Sequence, residues 1–159
     1  VLREILVSVF ENILEALNGA GVEYELFEHK PVYTCEAAAK AVPLKPGEVG
    51  LKSMSLKAKN KLILVILPGE KRVDYKKIQA LEGTSEVSMA KPEEVLAATG
   101  CAVGCVTPFG HLQAVKTYFD RKLLDYESVC FNPGRHDRTI KMRAKDLPNF
   151  LKNATAIEL

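Results

Sequence analysis

The longest apolar run in the chain is LILVIL, residues 62–67, held between Lys61 and Pro68. That is the length of a strand and far short of the ~18–20 residues that a membrane-spanning helix needs. Just ahead of it, VGLKSMSLKA leads into a polar tip, KAKNK, so the two segments read as a hairpin. Whatever the chain folds into has to be assembled around this pair of strands.

The flanking segments supply the remaining elements. Leu2, Ile5, Leu6, Val9, Phe10, Ile13, Leu14 and Leu17 recur at steps of three and four, which predicts an amphipathic opening helix stopped by Asn18-Gly19 and Gly21. A short strand, VEYELFEH, is broken by Lys30-Pro31; Thr34 then caps a small helix, CEAAAKAV, that ends before Pro43. Beyond the hairpin, Asp74 caps the helix DYKKIQALEG, TSEVSMA is a short strand, and Pro92 with Glu93 and Glu94 opens the helix KPEEVLAATG. Four more strands are predicted, CAVGCVTP, AVKTYFD, YESVCFN and RTIKMRA, and then a closing helix, KDLPNFLKN. Helices and strands interleave irregularly, and several strands are joined by short turns. The expected class is therefore α+β with a mixed, mainly antiparallel sheet, rather than a βαβ series. With 159 residues and no internal repeat or long linker, residues 1–159 are expected to form one domain.

Composition narrows the function. A net charge of +2 is too small for nonspecific nucleic-acid affinity from bulk charge, although Lys52, Lys57, Lys59 and Lys61 lie close together, as do Lys71, Arg72, Lys76 and Lys77. The nucleotide-cradling motifs GxGxxG and GxxxxGK(S/T) are absent, and so are HExxH and GxSxG. Arg3, Glu4, Glu11 and Glu15 interrupt the opening apolar segment, which therefore does not read as a secretory signal. Cys35, Cys101, Cys105 and Cys130 form no CxxC pair and are too sparse for a disulfide framework, so a reducing, cytoplasmic setting is expected.

Three segments hold residues suited to chemistry. Lys52, in VGLKSMSL, is a lysine on a largely apolar strand, where a partly buried ammonium would be a preorganised cation for an anion or a carbonyl oxygen. In Gly104-Cys105-Val106-Thr107-Pro108 the glycine allows close backbone approach to a ligand and the proline stiffens the chain, an arrangement that can hold an oxyanion on backbone N–H groups. In NPGRHDRT, residues 132–139, Asn132, Arg135, His136 and Asp137 surround Pro133-Gly134 and suit contact with phosphate or ribose. Each also reads as ordinary structure: a solvent-facing strand lysine, a strand end, a hairpin loop. Cys101, Cys105 and Cys130, with His111 or His136, would be the donors of a zinc site, but small core hydrophobes are their commoner use.

In this order, EHKPVYTCEAAA, the lysine of GLKSMSLKA, MAKPEEVLAATG with CAVGCVTPFG, and NPGRHDRTIKMRAKDL resemble the YbaK/prolyl-tRNA-editing family over most of the chain. That family comprises free-standing aminoacyl-tRNA deacylases and a related editing domain inserted in some prolyl-tRNA synthetases. The resemblance implies a twisted, partly barrel-like sheet flanked by helices. It also implies hydrolysis of the ester joining a small wrong amino acid, such as alanine or cysteine, to the terminal adenosine of tRNA for proline, without a cofactor or metal. By the same carry-over, Lys52 anchors the substrate near the scissile ester, backbone N–H groups around Gly104 hold the carbonyl and water, and Pro108 stiffens the loop that runs through Cys105, Val106 and Thr107. Phe27 and Tyr33 match pocket positions; Asn132, Gly134, Arg135 and His136 belong to the turn that closes the pocket. Help from the adjacent ribose hydroxyl fits an ester that is already activated. The implied partners are the tRNA acceptor end and an aminoacyl-tRNA synthetase, with no membrane. Ser53 stands where one alanine-editing branch has asparagine, and Asn132 where some members have serine, so the amino acid stays open. Two other readings are a catalytically silent tRNA- or nucleotide-binding module of the same fold, and a zinc or thiol protein using Cys101, Cys105 and Cys130.

Overall fold

The computed structural model describes residues 2–159, with side chains from residue 9 onward. The opening helix, α1, runs Leu2–Ala20, and Val9, Ile13 and Leu17 are fully buried along it. Leu2, Ile5 and Leu6 of the predicted stripe lie outside the described side chains. β1 (Tyr24–Glu28) is followed by α2 (Cys35–Ala41), whose first turn donates the Ala37 N–H to the Thr34 hydroxyl at 3.0 Å. The hairpin is β2 (Glu48–Ala58) and β3 (Lys61–Pro68). Then come α3 (Tyr75–Glu82), capped by Asp74, β4 (Val87–Met89), and α4 (Pro92–Thr99) with its proline in the first turn. β5 (Lys116–Asp120), β6 (Ser128–Phe131), β7 (Arg138–Arg143) and β8 (Ala154–Ile157) complete the order.

The strands form one sheet in the order β1-β7-β6-β2-β3-β5-β8, with β4 beside β2. β3 sits between an antiparallel and a parallel neighbour, β2 and β5. Its apolar run shows no alternation because both of its faces are covered. Leu64 and Ile66 join the core beneath α1, with Val9, Ile13 and Leu17, while Ile63, Val65 and Leu67 pack with Leu56, Ile78 and Tyr118 in a second cluster. Each fully buried side chain of this size contributes roughly 1.5–3 kcal/mol, so the hairpin ties the two layers together.

The sheet is mixed: the β1/β7, β2/β3, β2/β4 and β6/β7 pairs are antiparallel, and β2/β6, β3/β5 and β5/β8 are parallel. Its end strands β1 and β8 do not pair, so the sheet stays open and the expected partial barrel is not closed. CAVGCVTP is not a strand. The Cys105 N–H turns back to the Ala102 carbonyl at 3.1 Å and Gly104 stands at φ +89°, so the segment coils where an extended chain was expected. KDLPNFLKN contributes a 3-10 helix, Ala144–Phe150, with Pro148 inside it, where a missing N–H suits a short, tight turn better than an α-helix. The chain after it adds β8, which the sequence reading did not contain. Among the described residues, no helix is long and apolar enough to cross a membrane.

Candidate active site

The parallel ladder between β2 and β6 is short, running from Glu48↔Ser128 to Gly50↔Cys130. Past that point β2 continues toward its pairing with β4, while β6 ends at Phe131. A cleft of about 680 Å³ opens where the ladder stops. One wall is α2, through Cys35, Ala38 and Ala39; another is Gly50 and Leu51 with the turn Pro68-Gly69-Glu70; Asn132 and Gly104 line it as well. The turn after β3 is drawn close by the Gly69 N–H, which donates to the Gly50 carbonyl at 2.7 Å. A Cβ on residue 69 would sit 3.2 Å from that same oxygen, so glycine is what permits the approach.

Gly104 projects its backbone into this cleft. Its φ of +89° is disfavoured for any residue with a Cβ, and an added Cβ would come within 3.3 Å of His136 Cε1. The Cys105 N–H is committed to Ala102, whereas the Gly104 N–H donates to no backbone carbonyl among the described residues. Behind it the loop is fastened side chain by side chain. The Thr107 hydroxyl donates to the Phe109 carbonyl at 2.6 Å, and Asn12 Nδ2 donates to the Gly110 carbonyl at 3.2 Å. His111 Nε2 lies 2.7 Å from the Thr107 carbonyl, which only accepts, so this nitrogen carries the proton. Burial lowers the His111 pKa and keeps the ring neutral. Pro108 and His111 line a second hollow of about 720 Å³ that does not include Gly104.

The turn after β6 is built around Asn132, whose Oδ1 accepts from the N–H groups of Gly134 and Arg135 at 2.8 and 3.0 Å. A Cβ at Gly134 would touch Val9 and Thr107, so the turn lies against the back of the Gly104 loop. Arg135 makes a two-point pair with Asp137, at 2.9 and 3.1 Å, and its guanidinium stands 5.6 Å over the Phe10 ring. The Arg135 hydrogen bond holds the Asp137 carboxyl below the usual carboxylate range, against burial. His136 Nδ1 donates to the Val32 carbonyl at 3.2 Å, and its ring lies 4.5 Å from that of exposed Tyr33.

Gly104 and Asn132 thus line the cleft, with His136 and Tyr33 beside Gly104. Val106 is half-buried against the main core, and Thr107 and Pro108 are buried behind the cleft. Phe27, on β1, lies beneath the Lys141 ammonium at 5.5 Å and is not part of the lining. Lys52 is half-buried one residue beyond Leu51 and is likewise not part of the lining. It pairs across the hairpin with Leu67, which puts it on the face of the second cluster. Lys57 and Lys71 are paired with Glu94 and Asp120; no ion pair among the described residues includes Lys52.

Sequence reasoning passed over Glu48, Gly69 and the inner face of α2. Glu48 enters the cleft with its carboxylate bound to Lys141 at 2.8 Å and to the Lys45 N–H at 2.9 Å, bonds that hold it below the ordinary glutamate value. The pattern Glu-Ala-Ala-Ala after Cys35 was a signal for a small-residue wall, but Gly69 in a Pro-Gly turn carried none. The thiols are scattered. Burial, with Cys101 beside it, pushes Cys105 up to about 11; burial, with Glu48 nearby, does the same for Cys130. Among the described residues no three His, Cys, Asp or Glu side chains gather as metal ligands.

Comparison with known proteins identifies this architecture. The family model for the aminoacyl-tRNA editing domain matches residues 29–150. The multifunctional Ser/Thr-tRNA deacylase ProXp-y of Escherichia coli K12 is 26% identical over 141 residues, covering 86% of this chain and 84% of that protein. The prolyl-tRNA editing protein ProX of Acetoanaerobium sticklandii is 27% identical over 146 residues, 88% of each chain. A solved structure described as a candidate trans-editing enzyme for prolyl tRNA synthetase superimposes with a TM-score of 0.81 at 28% identity, over 95% of this chain and 96% of that one.

Proposed function

The chain belongs to the aminoacyl-tRNA editing domain family, and from that premise we propose that it deacylates tRNA carrying a small, wrong amino acid, with alanyl and cysteinyl esters of tRNA for proline as the first candidates. The observation that carries this reading is Gly104, which lines the cleft together with the small α2 side chains Cys35, Ala38 and Ala39 and whose backbone N–H donates to no carbonyl among the described residues. A cleft of about 680 Å³ has to take the terminal adenosine as well as the aminoacyl group. The preference for a small amino acid rests on the family resemblance and on the α2 wall of Cys35, Ala38 and Ala39; exclusion of larger ones by size is the discrimination that favours removing small errors.

In the proposed reaction a water oxygen attacks the ester carbonyl carbon, and the oxyanion that forms is held by the Gly104 N–H. The bond from that carbon to the ribose oxygen then breaks, the ribose oxygen takes up a proton, and the free amino acid and tRNA depart. The ester is already activated, so positioning and oxyanion stabilisation supply the acceleration, with the adjacent ribose hydroxyl helping to orient the water. Asn132 and His136 would orient the substrate at the cleft, with Tyr33 against the His136 ring. Arg135, held by Asp137, keeps the turn in shape. Lys52, a cation outside the cleft lining with no ion-pair partner among the described residues, would, as the family resemblance implies, anchor a part of the substrate that extends past Leu51.

The test is a deacylation panel using tRNA for proline charged with alanine, cysteine, serine or proline. Alanyl or cysteinyl ester should be released at least about tenfold faster than in buffer, and faster than the prolyl ester. No release above buffer from any of the four would overturn the proposal. Lys52→Ala should slow the best substrate by about tenfold or more; full activity in that variant would remove the lysine from the mechanism.

A further inference from the structure

The turn that walls the cleft continues directly into α3, and this stretch holds cations that the fold leaves unspent. Between Glu70 and Lys77 the chain carries Lys71, Arg72, Lys76 and Lys77. Lys71 is consumed by the fold: its ammonium lies 2.8 Å from the fully buried carboxylate of Asp120. Val73, Tyr75 and Ile78 turn inward onto the second hydrophobic cluster. That alternation leaves Arg72 and Lys76 exposed and Lys77 half-exposed. No ion pair among the described residues includes any of these three, although Lys57, Lys61, Lys116 and Lys141 all have carboxylate partners.

Their position on the helix is the second observation. The first turn of a helix presents unpaired N–H groups and the positive end of the dipole, so acidic residues stabilise it and basic ones do not. α2 and α4 follow that rule, with Glu36 in one first turn and Glu93 and Glu94 in the other. α3 has no acidic residue in its first turn, and Lys76 and Lys77 stand there instead. Asp74 offsets them only in part, since its carboxylate is occupied as the cap, accepting the Lys77 N–H at 3.2 Å. Two lysines set against a helix dipole weaken folding slightly, and a polyanion is the partner that would use them.

We propose that Arg72, Lys76 and Lys77 form a docking surface for the phosphate backbone of an RNA acceptor stem. Its 3′ end would pass over the turn Pro68-Gly69-Glu70 into the cleft. The Lys71–Asp120 pair and the Gly69–Gly50 hydrogen bond fix the platform, so the three cations sit at a set place relative to the cleft. A duplex presents phosphates at regular spacing, and recognition through them is independent of base sequence. The inference rests on the deacylase reading for its substrate, but its test does not depend on turnover.

The experiment compares wild type with the triple variant Arg72→Ala, Lys76→Ala, Lys77→Ala. Direct binding to tRNA is measured across a salt series, and deacylation is measured on charged tRNA and on an aminoacylated CCA trinucleotide. The variant should bind tRNA about tenfold or more weakly, with a log–log salt slope shallower by about 2.7, as expected for losing three contacts to duplex phosphates. On the trinucleotide it should match wild type within about twofold. Its Tm should equal or exceed that of wild type, because two charges opposing the dipole are gone. Lys76→Arg with Lys77→Arg, which keeps the charge, should bind like wild type. Unchanged tRNA affinity and salt slope in the triple variant would overturn the proposal, as would an equal loss on tRNA and trinucleotide. A wild type that binds tRNA through these residues yet hydrolyses nothing would leave the docking surface standing and sink the deacylase reading instead.

Discussion

Polar side chains cluster around Glu82 and around Gly104, and the two clusters are put to different use. Glu82 is nearly buried and has no unshared oxygen: Lys116 lies at 2.7 Å, Lys61 at 3.5 Å, and the Tyr118 hydroxyl donates to it as well. Everything there joins α3 to β3 and β5. Around Gly104 the polar side chains also bond to protein, Asn132 to two backbone N–H groups, His111 and Thr107 to carbonyls, His136 to Val32. What this leaves at the cleft is main chain rather than charge, with the Gly104 N–H donating to no carbonyl among the described residues. One cluster spends its charges on the fold; the other spends its side chains on aiming a piece of main chain.

The sharpest way to break this comparison is Gly104→Ala. The methyl group meets His136 Cε1 at 3.3 Å while the backbone stands at φ +89°. Relaxing either one moves the N–H, at a cost of about 1–2 kcal/mol in strain. Deacylation should fall by about a hundredfold or more, the scale for losing an oxyanion donor, and thermal unfolding should shift by only a few degrees. If Gly104→Ala turns over like wild type, the backbone at this position is not the catalytic element.

Glu82→Gln is the complementary change. It leaves Lys116 and Tyr118 facing a neutral amide, which should cost about 2 kcal/mol of stability. Activity per folded molecule should stay within about twofold of wild type. Burial raises the Glu82 pKa, but the hydrogen bonds from Lys116 and Tyr118 outweigh it, so the folded value lies below normal. The stabilisation is therefore complete above the unfolded glutamate value, about 4.3, and is lost as pH falls through the folded one. Denaturant titrations at pH 7 should separate wild type from Glu82→Gln clearly, and the gap should shrink below about pH 4. A gap that persists at low pH would mean that packing, not charge, holds this corner.

The same contrast explains what could be read in advance. LILVIL, the Thr34 and Asp74 caps and Pro92 were legible because each is decided within a few residues of itself. CAVGCVTP misled because its apolar content imitates a strand, whereas the outcome depends on Gly104 entering positive φ and on no neighbouring strand being available. β8 was missed because ATAI is short and earns its place only by lying parallel to β5 at the sheet's end. Within the site, Gly104 and Asn132 stood out through motif and turn chemistry. Gly69 did not, because its role is a close approach to Gly50 that exists only after folding. The placement of Lys52 depends on hairpin register: opposite Leu67 it faces the second cluster, a one-residue choice that spacing alone does not make.

The smallest effect expected is that of substituting the loop thiol of Cys105, and it tests whether side chains or backbone matter in residues 101–108. Cys101 and Cys105 are buried, and at about 11 the Cys105 thiol is only ~0.1% thiolate at pH 8. Cys130 is buried in the same way. Cys35 is exposed and lines the cleft. In native protein at pH 8, iodoacetamide should therefore modify Cys35 first, with the other three at least about tenfold slower by peptide mass mapping. Adding a carboxamidomethyl group at Cys35 should block deacylation, and Cys35→Ser should protect against the reagent. Cys105→Ser should keep activity within about twofold of wild type, since the serine hydroxyl can still donate to the Ala102 carbonyl that the thiol reaches at 3.4 Å. Loss of turnover in a folded Cys105→Ser variant would move the chemistry from the main chain of this loop to its sulfur, and would erase the distinction between the two clusters.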